Sequence, residues 1–219
     1  MNKSIQVSVI IAAKNAELYI GRCLRSLINQ SFSDDKYEII VINDGSKDST
    51  EEALKQFLGD IIYIKNKKNL GLPGSRNIGI REAKGQYIVM VDSDDWVHPE
   101  FLNILYHHLN LNNNLDAVAC DYQLVNNNQS ILSIENCEKK PIACGIMFKH
   151  SHIVEIGLYD KSFLARGEEE LIIRFKKKYK VTRIPIPLYR YRKHDQNMTG
   201  KKKLMKKYKI RLKKKHLGK

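Results

Sequence analysis

Three carboxylates fall within four residues, at Asp92, Asp94 and Asp95, with Ser93 between the first two. Like charges this close repel one another unless a proton or a cation comes between them. Hard oxygen donors that share a diphosphate suit Mg²⁺ or Mn²⁺, ions that keep several waters and take only one or two protein carboxylates. An ion held there neutralises charge building on a departing diphosphate, which is Lewis-acid catalysis. The plain alternative is a solvated acidic turn, and the apolar run 87–91 that leads directly into the cluster argues against it.

Other residues have types and positions that fit the same chemistry. Asp44 follows the apolar run 37–42 inside Asn43-Asp44-Gly45-Ser46, where its carboxylate can accept hydrogen bonds from a base N–H or a ribose hydroxyl. Arg76 sits in the first turn of a helix entered through NLGLPGS, and there it can reach a phosphate or hold one of the aspartates. That loop is not GxGxxG, which disfavours a dinucleotide fold. Glu168, Glu169 and Glu170 open a helix, where the macrodipole alone favours acids. A glutamate in a cleft could also take the proton from an attacking hydroxyl. His194 precedes Asp195 after a strand, and neutral imidazole is a competent ligand for Mn²⁺, although a lone surface histidine more often has no such task.

The elements that must position these residues alternate over the first hundred positions. Strands are expected at 7–11, 37–42, 61–65 and 87–91, with helices near 18–29, 49–58, 74–84 and 99–111. Continuous apolar strands are buried on both faces, so the fold class is α/β with a mainly parallel, Rossmann-like sheet covered by helices. From residue 116 the pattern predicts strands at 116–121 and 122–125, an antiparallel extension at 131–134 and 141–148, and a helix from about 168 to 179. Two short strands at 181–184 and 188–192 follow, and Pro185 and Pro187 between them predict an edge position.

Composition narrows the function classes. Of the 38 basic residues, eleven lie in 201–219 with no acid among them, which leaves 27 basic against 24 acidic residues elsewhere, a balance of +3. A nearly neutral body with carboxylates in its loops argues against nucleic acid as a partner. Four cysteines without a CxxC pair indicate reduced thiols in a cytoplasmic protein. No apolar run approaches the roughly 20 residues of a spanning helix, and Met1 to Ser4 lead straight into a strand, so no secretory leader is expected.

In this order, VSVIIAAKN, SLINQSF, EIIVINDGSKDST, NLGLPGSRNIGI, GQYIVMVDSDDW, GEEELIIR and YRYRKH resemble the inverting family 2 glycosyltransferases of GT-A fold, over roughly residues 5–196. The resemblance implies a domain over 1–200, with a nucleotide-binding half at about 5–115 and an acceptor-side half at about 116–200, followed by a basic tail at 201–219. It implies that Ala12, Ala13, Lys14 and Asn15 line the nucleobase pocket and that Asp44 contacts the uracil or ribose. Asp92, Ser93 and Asp94 would meet the donor, and Asp94, Asp95 and His194 a metal. Arg76 would lie beside the nucleotide, and Glu168 would deprotonate the acceptor. The family usually has a Glu-Asp pair where this chain has Gly167-Glu168, so Glu169 is the alternative base. An aromatic residue common near the base is replaced here by Lys14.

The expected partners are a nucleotide-sugar donor, a saccharide or lipid-linked acceptor, and Mn²⁺ or Mg²⁺. As a helix, the tail would align Leu204, Tyr208 and Leu212 on one side, which suits either an anionic membrane surface or a solvated tail. The competing readings are a sugar nucleotidyltransferase and a basic nucleic-acid-binding protein. The first should carry a Gly-rich, basic loop after the first strand, and residues 12–17 offer none.

Overall fold

The computed structural model describes residues 4–142, 144–195 and 197–218. The expected strands form as β1 (Val7–Ala13), β2 (Tyr37–Asn43), β3 (Ile62–Lys65) and β4 (Tyr87–Met90). They pair in parallel in the order β3-β2-β1-β4. Alternation explains the apolar runs. Val7, Val9, Ile11, Ile39 and Val41 face one core, whereas Ile10, Ile40, Ile42, Ile88 and Met90 face the other.

Helices cover both faces. α1 (Ile20–Ile28), α2 (Thr50–Lys55) and α4 (Phe101–Asn110) bury Leu24, Leu54 and Phe101 in the first core. α3 (Leu72–Glu82), α5 (His150–Glu155) and α6 (Gly167–Phe175) bury Ile80, Ile153 and Phe175 in the second.

The remaining strands are β5 (Trp96–Val97), β6 (Ala117–Val125), β7 (Ile131–Glu135), β8 (Ile146–Lys149) and β9 (Val181–Arg192). They extend the sheet to β3-β2-β1-β4-β8-β6-β9-β5, with β7 paired to β6. β8 runs antiparallel to both β4 and β6 and so joins the two halves into one sheet.

Several expectations change. The strands expected at 116–121 and 122–125 are one strand, β6. Those at 181–184 and 188–192 are also one, β9, flanked by β6 on one side and partly by β5 on the other. Pro185 and Pro187 are tolerated there because the register shifts at that point, from Cys120 opposite Ile184 to Asp121 opposite Pro187. An irregularity in the ladder removes the need for the N–H that proline lacks. The helix expected to reach 179 ends at Phe175, and the sequence reading missed β5 and α5.

The basic tail forms α7 (Lys202–Leu217). Leu204, Tyr208 and Leu212 do align, but they face the domain and pack with Phe163, Ala165 and Ile173. That apolar stripe is therefore spent within the chain and not on a membrane. No helix among the described residues is long and apolar enough to cross a membrane.

α3 approaches the sheet very closely at Gly79, where an added Cβ would lie 2.5 Å from Ile10 Cγ2 and 2.8 Å from Ile42 Cδ1. Overpacking of this kind costs about 1–3 kcal/mol, against a helix-propensity gain of up to about 1 kcal/mol. Gly79→Ala should therefore lower the urea midpoint with an unchanged slope, and an equal or higher midpoint would contradict the packing described.

Candidate active site

The carboxyl ends of β1, β2 and β4 lie side by side, and the polar loops that follow them are stitched together. Asn15 takes a left-handed conformation (φ 50). Its backbone N–H donates to Ser46 Oγ at 3.0 Å, and its Oδ1 accepts from the Lys47 N–H at 2.9 Å. Ala16 N–H donates to Thr50 Oγ1 at 2.7 Å, and Ser49 N–H donates to Glu17 Oε2 at 2.8 Å. Ala12 is half-buried and Ala13 buried, while Lys14 and Asn15 are exposed at the rim. Asp44 is buried, and its Oδ1 accepts from Asn66 Nδ2 at 2.9 Å and from the Leu70 N–H at 2.7 Å. Gly45 makes the turn possible, with φ 66.

Arg76 is the centre of the second cluster. It is 1% exposed, and its guanidinium donates to Asp92 Oδ1 at 2.7 Å and to Glu168 Oε1 at 2.6 Å. Burial disfavours the charged guanidinium, but Tyr159, Asp92 and Glu168 around it hold its pKa above the ordinary value. The Tyr159 ring lies 5.4 Å from the guanidinium carbon. A residue of α3 thus ties the end of β4 to the first turn of α6, 92 positions away in sequence.

Asp92, Asp94 and Asp95 each offer an oxygen within 4.8 Å of the others. Their surroundings differ. Asp95 is 1% exposed, and both its oxygens are engaged, Oδ2 by the Tyr189 hydroxyl at 2.7 Å and Oδ1 by the Arg192 N–H at 2.7 Å. Burial, followed by the charges of Asp94 and Asp92, pushes its pKa well above the usual carboxylate range. Asp94 is half-buried and meets His194, with Nε2 to Oδ2 at 2.8 Å. The other ring nitrogen of His194, Nδ1, is buried without a hydrogen-bond partner among the described residues. Hard carboxylates with an adjacent imidazole fit Mn²⁺ or Mg²⁺. Ser93 is half-buried beside them.

The three glutamates of α6 separate into different environments. Glu168 faces Arg76. Glu169 is exposed and pairs with Arg166. Glu170 is fully buried against Arg174 and Lys215. A crevice beside Arg76 and Glu168 is walled by Leu72, Pro73, Phe163, Leu164 and Met198. Trp96, next to the cluster, is enclosed, with the Arg22 and Arg192 guanidinium carbons 3.8 Å and 4.7 Å from its ring centroid.

Several residues of the site escaped the sequence reading. Tyr19 lies 4.9 Å from the His194 ring, Asn197 Nδ2 lies 3.4 Å from Asp94 Oδ2, and Tyr189, Arg192 and Asn66 supply the hydrogen bonds above. Tyr189 and Arg192 lie within YRYRKH, and for Tyr19, Asn66 and Asn197 only proximity to a motif could have flagged them. The four cysteines are buried and free, and burial raises their thiol pKa values, which argues against a nucleophilic role.

The family described as Glycosyl transferase family 2 matches residues 8–149, and the chain belongs to it. Putative glycosyltransferase EpsH of Bacillus subtilis is 36% identical over 118 residues, 53% of this chain and 33% of that protein. Minor teichoic acid biosynthesis protein GgaB of Bacillus subtilis is 31% identical over 78% of this chain and 21% of its own length. The chain therefore spans a third or less of these curated relatives. Among solved structures, Staphylococcus aureus TarS 1-349 in complex with UDP-GlcNAc superposes with a TM-score of 0.79 at 18% identity, covering 90% of this chain and 61% of that one. Mannosyltransferase PcManGT from Pyrobaculum calidifontis, in complex with GDP-Man and Mn²⁺, gives 0.76 at 15% identity, covering 98% and 64%. At these identities the likeness is one of fold, and it agrees with the α/β sheet described above.

Replacing Arg76 with Met would leave Asp92 and Glu168 without their shared partner. Breaking a fully buried pair costs about 3–5 kcal/mol, but these carboxylates keep 31% and 23% of their side-chain surface in water. The expected loss is about 2–3 kcal/mol, with Arg76→Lys intermediate. Wild-type stability for Arg76→Met in urea would contradict the role given to this side chain.

Proposed function

We propose that this chain transfers a sugar from a nucleoside diphosphate, most simply UDP, to an acceptor hydroxyl with inversion. The observation that carries the reading is Arg76 binding Glu168 and Asp92 at once, which draws a candidate base on α6 towards the acidic cluster at the end of β4. In this scheme the 12–15 loop and the second oxygen of Asp44 meet the base and ribose, and Asp92 and Ser93 lie along the donor. Glu168 Oε1 is held by Arg76, and Oε2 takes the acceptor proton. As that proton leaves, the acceptor oxygen bonds to the anomeric carbon and the bond to the diphosphate breaks. Fixing both partners in one cleft supplies much of the acceleration.

A bound Mn²⁺ or Mg²⁺ supplies neutralisation of the departing diphosphate. Asp94 and His194 are the residues assigned to hold it, supported by their 2.8 Å contact. Asp95 was expected as a ligand too, but both of its oxygens accept hydrogen bonds, which favours a role in fixing the loop. Glu169 is the weaker candidate for the base because it points to the surface with Arg166.

Relatives include a poly(ribitol-phosphate) beta-glucosyltransferase from Bacillus spizizenii, 40% identical over 45% of this chain. That name and GgaB support a cell-envelope polymer or lipid-linked acceptor, met at the inner face of the membrane. The exposed lysines of α7, among them Lys202, Lys203, Lys206 and Lys207, favour such a surface through charge alone, at about 1 kcal/mol per basic residue close to anionic lipid.

Glu168→Gln should lower turnover of a nucleoside-diphosphate sugar by about 10²-fold or more, with UDP still raising the melting temperature as it does in wild type. Retention of more than about a tenth of wild-type turnover would remove Glu168 as the base.

A further inference from the structure

The buried carboxylate of Glu170 is not needed by the chemistry above, yet it ties three segments together. It accepts from Arg174 Nε at 2.8 Å and from Lys215 Nζ at 2.7 Å, with His216 Nε2 at 3.3 Å. Lys215 also donates to Asp160 Oδ2 at 2.8 Å, so a residue near the end of α7 spans α6 and the turn before it. Arg174 completes the joint by donating to the backbone carbonyls of Ile156 and Leu158. Burial works against ionisation of Glu170 and Asp160, but their hydrogen bonds outweigh it and hold both carboxyls below the usual range.

A second contact reaches still closer to Glu168. Arg166, the residue before α6, is left-handed at φ 58, a conformation that side chains other than glycine adopt only where their surroundings enforce it. Its Nε donates to the Met205 carbonyl of α7 at 3.1 Å. Within the same turn Tyr159 flanks Arg76, and its backbone is locked to Asn77 in both directions, at 2.8 and 2.9 Å.

We infer that α7 is a positioning element for the reaction: Lys215, through Glu170 and Asp160, and the Met205 carbonyl, through Arg166, fix the 156–167 turn that aims Glu168 at Arg76. This rests on the function proposed above for its kinetic half only. Lys215 and Arg166 are positioning residues and touch no substrate. The inference separates two consequences of the same helix, since outward lysines can meet a surface while the inward face sets the geometry of the site.

The test uses the full chain carrying Lys215→Met, Lys215→Arg or Arg166→Gly, the last because glycine accepts the left-handed backbone without the tie to Met205. Hydrogen exchange and release of UDP from a UDP-sugar are measured without membranes. For Lys215→Met we expect faster exchange over 156–170 with β1, β2 and β4 unchanged, and a kcat about tenfold lower at an unaltered donor KM. Lys215→Arg should restore both, and Arg166→Gly should reproduce the loss. Exchange over 156–170 equal to wild type in both Lys215→Met and Arg166→Gly would overturn the inference. So would a fall in kcat that Lys215→Arg fails to rescue. If Lys215→Met exchanges faster everywhere, Arg166→Gly decides by the same criteria. A wild-type chain that turns over no UDP-sugar would count against the function proposed above, and the exchange pattern would still decide the role of α7.

Discussion

A single buried guanidinium holds this site together. Arg76 has almost no access to water, so its charge must be met within the protein, and the two carboxylates that meet it come from different halves of the fold. A buried charge without partners is costly, and the requirement therefore fixes where β4 ends and where α6 begins relative to α3. On the same helix, Gly79 lets α3 approach the sheet closely.

Around that pair the acidic cluster is graded by environment. Asp92 is occupied by Arg76, Asp95 by Tyr189 and the Arg192 backbone, and Asp94 lies with His194 and Asn197. Three residues of one acidic turn thus have three different surroundings. The sequence alone does not assign Asp94 and Asp95 individually, because their partners come from β9 and the segment after it, about a hundred positions downstream. Tyr189 also accepts from the Asp92 N–H at 3.1 Å, so one hydroxyl braces both ends of the turn.

What could be read in advance follows from range. The parallel half of the sheet is written in apolar runs whose local pattern decides their burial, so β1 to β4 and the helices between them were legible. The mixed half, in which β9 runs parallel to β6 while β7 and β8 run antiparallel to it, was less so. Pro185 and Pro187 signal a break locally, but only the register with β6 shows that a single strand absorbs them in an irregularity. The tail shows the same limit. Its lysines and its Leu204, Tyr208 and Leu212 stripe describe an amphipathic helix correctly, while the surface that receives the stripe is made by Phe163, Ala165 and Ile173, which no local pattern marks as a socket. Among the glutamates, the motif pointed to Glu168 or Glu169, and the folded chain separates them by what each faces.

The function proposed above requires Asp94 and His194 to gather with the nucleotide loops around one divalent ion. Calorimetric titration of UDP into the wild-type chain, with and without Mn²⁺, tests this directly when repeated on Asp94→Asn and His194→Ala. The account predicts that Mn²⁺ tightens UDP binding at least tenfold in wild type and that either substitution abolishes most of that gain. Equal UDP affinity with and without Mn²⁺ in wild type, or a gain that survives both substitutions, would contradict it.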